Sequence, residues 1–323
     1  MISVVIAVFN GEKYIEAQLR SILTQTLPPE EVLIFDDGST DDTVNIVSRF
    51  VEENACMGWK LYINSENKGY CRNFLEAVLS AKGEIIFLCD QDDVWYPERI
   101  ETMVSVTERN PEIAALCCSC DVIDGKGEKI VDPGNIGMLF SENDGSIEYF
   151  AADRFVGRSF IRGCSVCFRR ELSAYLVPME LKGLLSHDWL ITFTAALVGK
   201  CAVLNTVLMS YRCHGENNSF GEREYGEAAL KRRIEALEYS CDGHSFLLEN
   251  ADSYANMTDK LKVKIKKHIA FERRRIAYLK NGGFKNCLAC FFSLNSYKCY
   301  YGSIKGAIKV FSGDVIYRKS VKK

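Results

Sequence analysis

The first 120 residues alternate between short apolar runs and longer segments whose apolar residues recur at helical spacing. Because strands that alternate with helices form a mostly parallel sheet flanked by helices, this alternation predicts an α/β fold. Strands are predicted at Ser3–Val8, Glu31–Phe35, Lys60–Asn64, Glu84–Cys89 and Ala114–Asp121. Helices are predicted at Glu12–Thr24, from the loop at Asp36–Asp42 up to about Glu52, at Tyr70–Ala81 and at Pro97–Arg109.

The alternation weakens after Gly125. We expect two domains, an α/β domain at residues 1–220 and a helical, basic C-terminal extension at residues 221–323. The later predicted elements are a strand at Ile161–Phe168, a helix at Asp188–Val198, a strand at Val203–Arg212, and helices at Glu222–Tyr239 and Lys260–Lys280.

Charge is distributed unevenly along the chain. Residues 259–323 contain 17 Lys and Arg but 3 Asp and Glu, whereas the preceding residues contain 23 and 40. An acidic body is a poor match for the phosphate backbone of nucleic acids, so no nucleic-acid partner is expected. The basic tail, which is rich in aromatic residues and cysteine at Phe284–Tyr301, either lies on an anionic membrane surface or packs on the acidic body or on the second subunit of a homodimer.

No apolar run approaches the roughly 20 residues that span a bilayer, and Met1 is followed directly by an apolar strand instead of a basic leader. We therefore expect a cytoplasmic protein, peripheral at the inner face of the membrane where the tail binds lipid. The 14 cysteines lack the spacing of a secreted disulfide scaffold and are expected to be reduced core residues. Two separate C-x-x-C pairs, at 164/167 and 287/290, leave a structural zinc site as the alternative.

The most informative polar segment is Asp90–Asp93, directly after the predicted strand Glu84–Cys89. Three carboxylates crowded at a strand end repel one another unless a cation offsets their charge. Oxygen ligands of this kind suit Mg²⁺ or Mn²⁺. The alternative is an exposed acidic loop that caps the following helix through Asp93.

Two more polar segments follow other predicted strands. Asp36 and Asp37 begin a loop that either binds a nucleotide or makes only turn and cap bonds. Arg72 lies in the first turn of a helix, where it either contacts a base or phosphate or points into solvent. Because ligands bind beyond the carboxyl ends of parallel strands, we expect these loops and Asn10 to converge on one crevice with Asp90–Asp93.

Together, in this order and on this scaffold, these segments resemble the family 2 glycosyltransferases, which have the GT-A fold, a Rossmann-like nucleotide-binding sheet. The resemblance covers about residues 1–220, and the sequence at Asp90–Trp95 looks closest to rhamnosyltransferase-like members that build surface polysaccharides. The matching segments are Val5–Asn10, Asp36–Asp41, Asn67–Asn73 and Asp90–Asp93.

The resemblance implies roles for single residues. Donor-binding positions would be Ala7, Val8, Asn10, Asp36, Asp37, Arg72, Asp90 and Arg212. Metal ligands, for Mn²⁺ or Mg²⁺, would be Asp92, Asp90 and His214. Asp188 would be the catalytic base, and acceptor contacts would come from Gly163, Cys164, His187 and Trp189. Many members have Glu where this chain has His187, so the role of His187 is open; without the resemblance, a His-Asp pair at a helix start is more often a cap.

The expected function is that of an inverting glycosyltransferase. It would transfer a sugar from a nucleotide-diphosphate donor, such as dTDP-rhamnose or a UDP-sugar, to a hydroxyl of a glycan or lipid-linked acceptor in surface polysaccharide synthesis. A sugar-phosphate nucleotidyltransferase is one alternative, although the loop after the first strand is not the glycine-rich basic loop that such enzymes usually carry. A non-catalytic carbohydrate-binding protein is the other.

Overall fold

The computed structural model describes residues 1–131, 143–180, 186–215, 226–293, 296 and 304–320. Within these residues the chain forms two compact units. The first contains residues 1–131, 143–151, 160–180 and 186–215, and the second contains 152–159 and the residues from 226 onward. The predicted boundary at 220/221 and the predicted helix start at Glu222 lie outside the described residues.

A single mixed sheet forms the centre of the first unit. Its order is β3-β2-β1-β4-β8-β6-β9-β5, and β7 also pairs with β9. The pairs β1–β2, β2–β3, β1–β4 and β6–β9 are parallel, whereas β8 lies antiparallel between β4 and β6. The strands of the described residues are β1 (Ile2–Val8), β2 (Glu31–Asp36), β3 (Trp59–Ile63), β4 (Ile85–Cys89), β5 (Val94–Trp95), β6 (Ile113–Ile123), β7 (Ile147–Phe150), β8 (Val166–Arg169) and β9 (Lys200–Arg212).

Helices flank this sheet. They are α1 (Ile15–Leu23), α2 (Thr43–Glu53), α3 (Tyr70–Ser80), α4 (Arg99–Arg109), α5 (Ser173–Glu180) and α6 (His187–Val198). In α1 the buried residues Ile15, Leu19 and Ile22 recur at helical spacing and pack into the core with the sheet. In α6 nearly every side chain is buried, and Ser186 caps its start by accepting a hydrogen bond from Trp189 N.

The predicted α/β class, with a mostly parallel sheet flanked by helices, is confirmed. The prediction of one strand over Ile161–Phe168 was wrong for its first half. There Ser165 bonds back to Arg162 O and a short 3₁₀ turn forms, so that β8 begins only at Val166. None of the thirteen cysteines in the described part of the chain forms a disulfide.

The second unit is helical. It contains α7 (Glu227–Glu249), α8 (Asp259–Asn281), α9 (Phe284–Phe291) and α10 (Ile304–Ser320). The fully buried carboxylate of Asp314 on α10 accepts hydrogen bonds from Arg275 on α8, at 2.7 and 3.0 Å, and from Arg233 on α7, at 2.8 Å. One buried ion-paired cluster therefore joins three of these helices. Within the described residues, no helix combines the length and hydropathy needed to cross a bilayer.

A second buried polar cluster lies between α7 and α8. His244 Nε2 accepts a hydrogen bond from Gly157 N at 3.2 Å, and its Nδ1 lies 2.7 Å from Ser240 O. Burial, with a contribution from His268, lowers the pKa of His244 to about 4. His268 Nε2 lies 3.2 Å from Glu272 Oε1. Burial acts to raise the pKa of Glu272, but the interaction with His268 outweighs it and lowers this pKa to about 2.

Candidate active site

The loops after β1, β2 and β4 meet at the carboxyl ends of these strands. Gln91 joins the first and third loops, because its Oε1 accepts from Phe9 N at 2.8 Å and its Nε2 donates to Phe9 O at 3.1 Å. Asn10, which has a φ of 49°, joins the first and second by accepting from Thr40 N at 2.8 Å. The expected convergence of these loops is therefore present, and side-chain to backbone bonds fix it.

The carboxylates of Asp36 and Asp37 are buried and organise the backbone of the next two loops. Asp36 Oδ1 accepts from the backbone of Gly38 and Ser39, at 3.1 and 2.9 Å. Asp37 accepts from the backbone N–H groups of Lys68 and Gly69, each at 2.9 Å, and from Asn64 at 3.0 Å. Asp37 therefore determines where the loop before α3 lies, and α3 is the helix that carries Arg72.

The other proposed donor residues near this edge differ in exposure. The Arg72 guanidinium is mostly exposed and lies 3.3 Å from Glu76, so the solvent-facing alternative describes its position here. Ala7 is half-buried and Val8 is buried within β1. Val8 O accepts a hydrogen bond from Asp37 N at 2.8 Å, which ties the ends of β1 and β2 together.

The acidic loop Asp90–Asp93 is held from the end of β9. The short strand β5 pairs antiparallel with β9, which brings the residues that follow Ser210 beside the loop. Asp93 Oδ1 accepts from Arg212 N at 3.0 Å, and Arg212 Nε donates to Asp92 O at 2.7 Å. His214 Nε2 lies 2.7 Å from Asp92 Oδ2.

Two observations exclude the alternative of an exposed loop that caps a helix. Asp93 is fully buried and bonds to β9, and α4 begins at Arg99 with no side-chain cap from Glu98. Burial and then the charge of Asp92 raise the pKa of Asp93 well above its usual range. Burial, followed by the charges of Asp92 and Asp188, raises the pKa of Asp90 to about 7.

The chemistry of this loop fits a divalent cation. The buried Oδ2 of Asp93 has no hydrogen-bond partner among the described residues. Ligand atoms of Asp90, Asp93 and Cys164 lie within 4.8 Å of one another. Burial raises the pKa of the Cys164 thiol, so this group is a neutral neighbour. An oxygen-rich set with one imidazole nearby, His214, is of the kind that Mg²⁺ or Mn²⁺ accepts.

Asp188 and His187 lie at the start of α6. The carboxylate of Asp188 is half-buried and accepts from Trp189 N at 2.7 Å, as a helix-start residue would. It is also close enough to Asp90 to raise the pKa of that group. The structure thus brings Asp188 to the acidic loop, while the Trp189 side chain packs in the interior against Phe193.

His187 is buried beneath this site. Its ring stacks on Phe74, with the centroids 4.1 Å apart, and within the part of the chain that the structure describes neither ring nitrogen has a hydrogen-bond partner. Burial lowers its pKa, so the imidazole is neutral. A Cβ added at Gly163 would lie 2.5 Å from His187 Nε2 and 3.5 Å from Asp188 Cβ, which shows how closely the Gly163–Cys164 segment approaches the start of α6.

Three residues that support the site were not predicted from the sequence. Tyr14 places its ring 4.8 Å from both the Arg212 guanidinium and the His214 ring. Arg99 is fully buried, stacks over Trp95 and donates to Cys164 O at 2.6 Å. Gln91 joins two loops. Tyr14 and Arg99 each occupy an ordinary position in a helical pattern, so nothing in the local sequence marks them.

Comparison with solved structures identifies the class of fold. S. aureus TarS 1-349 in complex with UDP-GlcNAc superimposes with a TM-score of 0.60 at 16% identity, over 99% of this chain and 90% of that chain. The mannosyltransferase PcManGT from Pyrobaculum calidifontis, in complex with GDP-Man and Mn²⁺, superimposes with a TM-score of 0.51 at 20% identity, over 97% and 79%. With the sheet order above, these similarities confirm the GT-A fold.

Residues 3–175, more than half of the chain, match the family described as glycosyl transferase family 2, and the chain therefore belongs to this family. An uncharacterized glycosyltransferase of Nostoc sp. is 28% identical over 218 residues, which are 67% of this chain and 66% of the relative. An uncharacterized glycosyltransferase of Rickettsia prowazekii is 26% identical over 219 residues, 66% of this chain and 64% of the relative. The matched region thus spans slightly less than two thirds of each relative.

Proposed function

We propose that this protein is an inverting, metal-dependent glycosyltransferase that uses a nucleotide-diphosphate sugar as its donor. The observation that carries this proposal is the meeting of Asp90, Asp92, His214 and Asp188 at the carboxyl ends of the parallel strands. Membership of the family supports sugar transfer. The complexes of structural neighbours with UDP-GlcNAc and GDP-Man support a nucleotide-sugar donor.

The donor would bind along the edge formed by the first two strands and the loop before α3. Ala7, Val8, Asn10, Asp36, Asp37 and Arg72 are the proposed contacts for the nucleotide. Because Asp36 and Asp37 already accept several backbone N–H groups, we infer that they act mainly by holding the loops that surround the base. Arg72 would turn from Glu76 toward the donor, which an exposed side chain can do at little cost.

A cation would be held by Asp92, Asp90 and His214. When bound, Mn²⁺ or Mg²⁺ would neutralise the negative charge of the donor diphosphate. Arg212 supplies a fixed positive charge beside the same loop, because its guanidinium is held by Asp92 O and Asp124 O and by the Tyr14 ring. The burial of these groups strengthens their electrostatic interactions relative to those in water.

Asp188 is the proposed base. Its carboxylate would accept the proton of the acceptor hydroxyl while the hydroxyl oxygen forms a bond to the anomeric carbon. The bond from that carbon to the diphosphate oxygen breaks, and its electron pair leaves with the nucleoside diphosphate. A single base on the face opposite the leaving group inverts the anomeric configuration, in contrast with the two-carboxylate route of retaining glycosidases.

The acceptor is proposed to bind beside Gly163, Cys164 and His187, with Trp189 supporting this floor from the interior. The acceptor class is a glycan or lipid-linked sugar of surface polysaccharide synthesis, made at the cytoplasmic face of the membrane. The sequence at Asp90–Trp95 favours dTDP-rhamnose among the donors, with a UDP-sugar as the other candidate. These finer assignments rest on the resemblance described above.

The decisive experiment is a donor panel with Asp188→Asn. Wild-type protein should release nucleoside diphosphate from one of dTDP-rhamnose, UDP-glucose, UDP-galactose or GDP-mannose, and excess chelator should stop the release. Asp188→Asn should abolish release while donor binding by calorimetry stays unchanged. Asp259→Asn, at a fully exposed position of the second unit, is the matched control and should match wild type.

The same panel separates the alternatives. When a nucleoside triphosphate and a sugar 1-phosphate are added as a further arm, a nucleotidyltransferase would release pyrophosphate from them and no nucleoside diphosphate from the sugar donors. A carbohydrate-binding protein would release neither product. Full activity in excess chelator would contradict the metal assignment. A joint loss of donor affinity and turnover in Asp188→Asn would contradict the base assignment.

A further inference from the structure

The short helix α9 presents an apolar face to solvent. Its opposite side is anchored, because Cys290 is fully buried with Phe271, Tyr278 and Ala307 in the core of the second unit. The exposed large side chains lie at i, i+4, i+7 and i+8 and therefore share one face. They are Phe284 (79% exposed), Leu288 (37%), Phe291 (48%) and Phe292 (77%).

Such a grouping needs a physical explanation. Single exposed apolar residues are common on protein surfaces, but a contiguous group of phenylalanines marks an interaction site. We call these four residues the α9 face. The last residues of the predicted aromatic segment, 294, 295 and 297–301, lie outside the described residues.

The charge around the α9 face indicates the kind of partner. Between positions 273 and 313 the sequence contains eight Lys and Arg and no Asp or Glu, although two of the eight have acidic partners outside this range: Arg275 pairs with Asp314, and Lys280 pairs with Glu238. Exposed Lys285 lies on α9 itself, Arg274 donates to Ser293 Oγ at 2.9 Å at the end of the helix, and Arg318 lies close to Gly282 at its start. An apolar face bordered by cations at both ends matches the acyl boundary and headgroups of an anionic membrane.

We propose that the α9 face docks on an anionic lipid surface, with Phe284, Phe291 and Phe292 inserted at the acyl boundary and Lys285 at the headgroups. A symmetric contact with a second copy is disfavoured, since it would bring two strongly cationic segments together. The proposal concerns lipid binding alone and does not depend on sugar transfer.

Vesicle cosedimentation of the full-length chain tests this proposal. The protein should bind vesicles of phosphatidylcholine mixed with phosphatidylglycerol, and should bind phosphatidylcholine vesicles far less. Because burial of one phenylalanine is worth about a factor of ten or more, Phe284→Ser and Phe292→Ser should each weaken binding about tenfold. Lys285→Gln should weaken vesicle binding about fivefold. Added salt should also weaken the binding, because it screens the attraction of all the cationic side chains to the anionic headgroups.

Met57→Ser is the matched control, because Met57 is 92% exposed on the first unit and far from α9 in sequence. It should bind vesicles as wild type does, and all variants should keep the wild-type unfolding midpoint because the substituted side chains are exposed. The proposal would be overturned if the double variant Phe284→Ser/Phe292→Ser bound vesicles as well as wild type does. Equal binding to both vesicle types would also overturn it. So would dimers in sedimentation velocity that become monomers in the phenylalanine variants, since this result would identify a second copy as the occupant.

Discussion

Replacing Gly163 by alanine should disable the site without unfolding the protein. The added Cβ would lie 2.5 Å from His187 Nε2, whereas carbon needs about 3.5 Å to a neighbouring heavy atom, so a shift of about 1 Å is required. The imidazole is buried and stacked on Phe74, which leaves it little room to withdraw. Such overpacking costs about 1–3 kcal/mol of unfolding free energy, less than the typical stability of a domain.

The effect on sugar transfer should be larger than the effect on stability. His187 and Asp188 are adjacent at the start of α6, and the added atom would also contact Asp188 Cβ at 3.5 Å. A displacement of about 1 Å at a catalytic group costs about 100-fold in rate. We therefore expect nucleoside-diphosphate release by Gly163→Ala to fall about 100-fold, while urea unfolding shows a loss of about 2 kcal/mol.

Two variants control this experiment. Gly313→Ala in α10 makes the same change where the nearest atom is 3.9 Å away, and should raise stability by up to about 1 kcal/mol without affecting transfer. The double variant Gly163→Ala/His187→Ala removes the clashing ring, so its loss of stability should be smaller than the sum of the single losses. Strict additivity, or an unchanged transfer rate in Gly163→Ala, would refute the reasoning.

Two further predictions concern the second unit. Asp314→Asn should lower the unfolding free energy by about 3–5 kcal/mol in urea titrations, because it leaves the buried Arg275 guanidinium without its counter-charge; a loss similar to that of Asp259→Asn would contradict this. His244 has a folded pKa of about 4 against an ordinary value of 6.5, so within that pH window the unfolded chain binds the proton and the folded chain does not. The contribution of this group to stability is therefore complete above the window, and the unfolding free energy should fall by up to about 3 kcal/mol as the pH decreases through it. His244→Gln should lack this fall; an unfolding free energy with the same pH dependence in both proteins would contradict the prediction.

Much of the fold could be predicted because local patterns determine it. The strands β1 to β4 and the helices between them carry strong periodicity, and their bounds lie within a few residues of the predicted ones, apart from the start of α1. The convergence of the polar loops followed from a general property of parallel sheets. No comparable rule gives the direction of β8, because an isolated apolar run does not reveal which strands it will join.

Other elements were missed for identifiable physical reasons. Strand β5 has only two residues and directly follows the acidic segment, so no alternation of apolar and polar residues can be recognised in it. Helix α5 contains Pro178, which argues against a helix in any pattern analysis. Helix α7 continues ten residues beyond the predicted end at Tyr239. The prediction ended early because Ser240 and Gly243 are residue types typical of loops, whereas here both are buried within the helix.

The sequence offers candidate residues for the site but does not give their arrangement. His214 reaches Asp92 only because β5 pairs with β9, a contact between positions more than a hundred residues apart. The approach of Gly163 to His187 likewise depends on how α6 packs, which a linear motif does not encode. Sequence patterns identify the chemical groups, and the long-range pairings determine which of them meet.

The pairing of β5 with β9 also sets the order in which the site forms during synthesis. The chain leaves the ribosome from its N-terminus, so β1 to β4 and the acidic loop are made well before β9. Until β9 emerges, β5 lacks its partner and Asp93 lacks the Arg212 backbone that it binds. An incomplete nascent chain therefore carries the loops after β1, β2 and β4 without the His214 imidazole, and a prematurely terminated product ending before β9 would lack one of the proposed cation ligands.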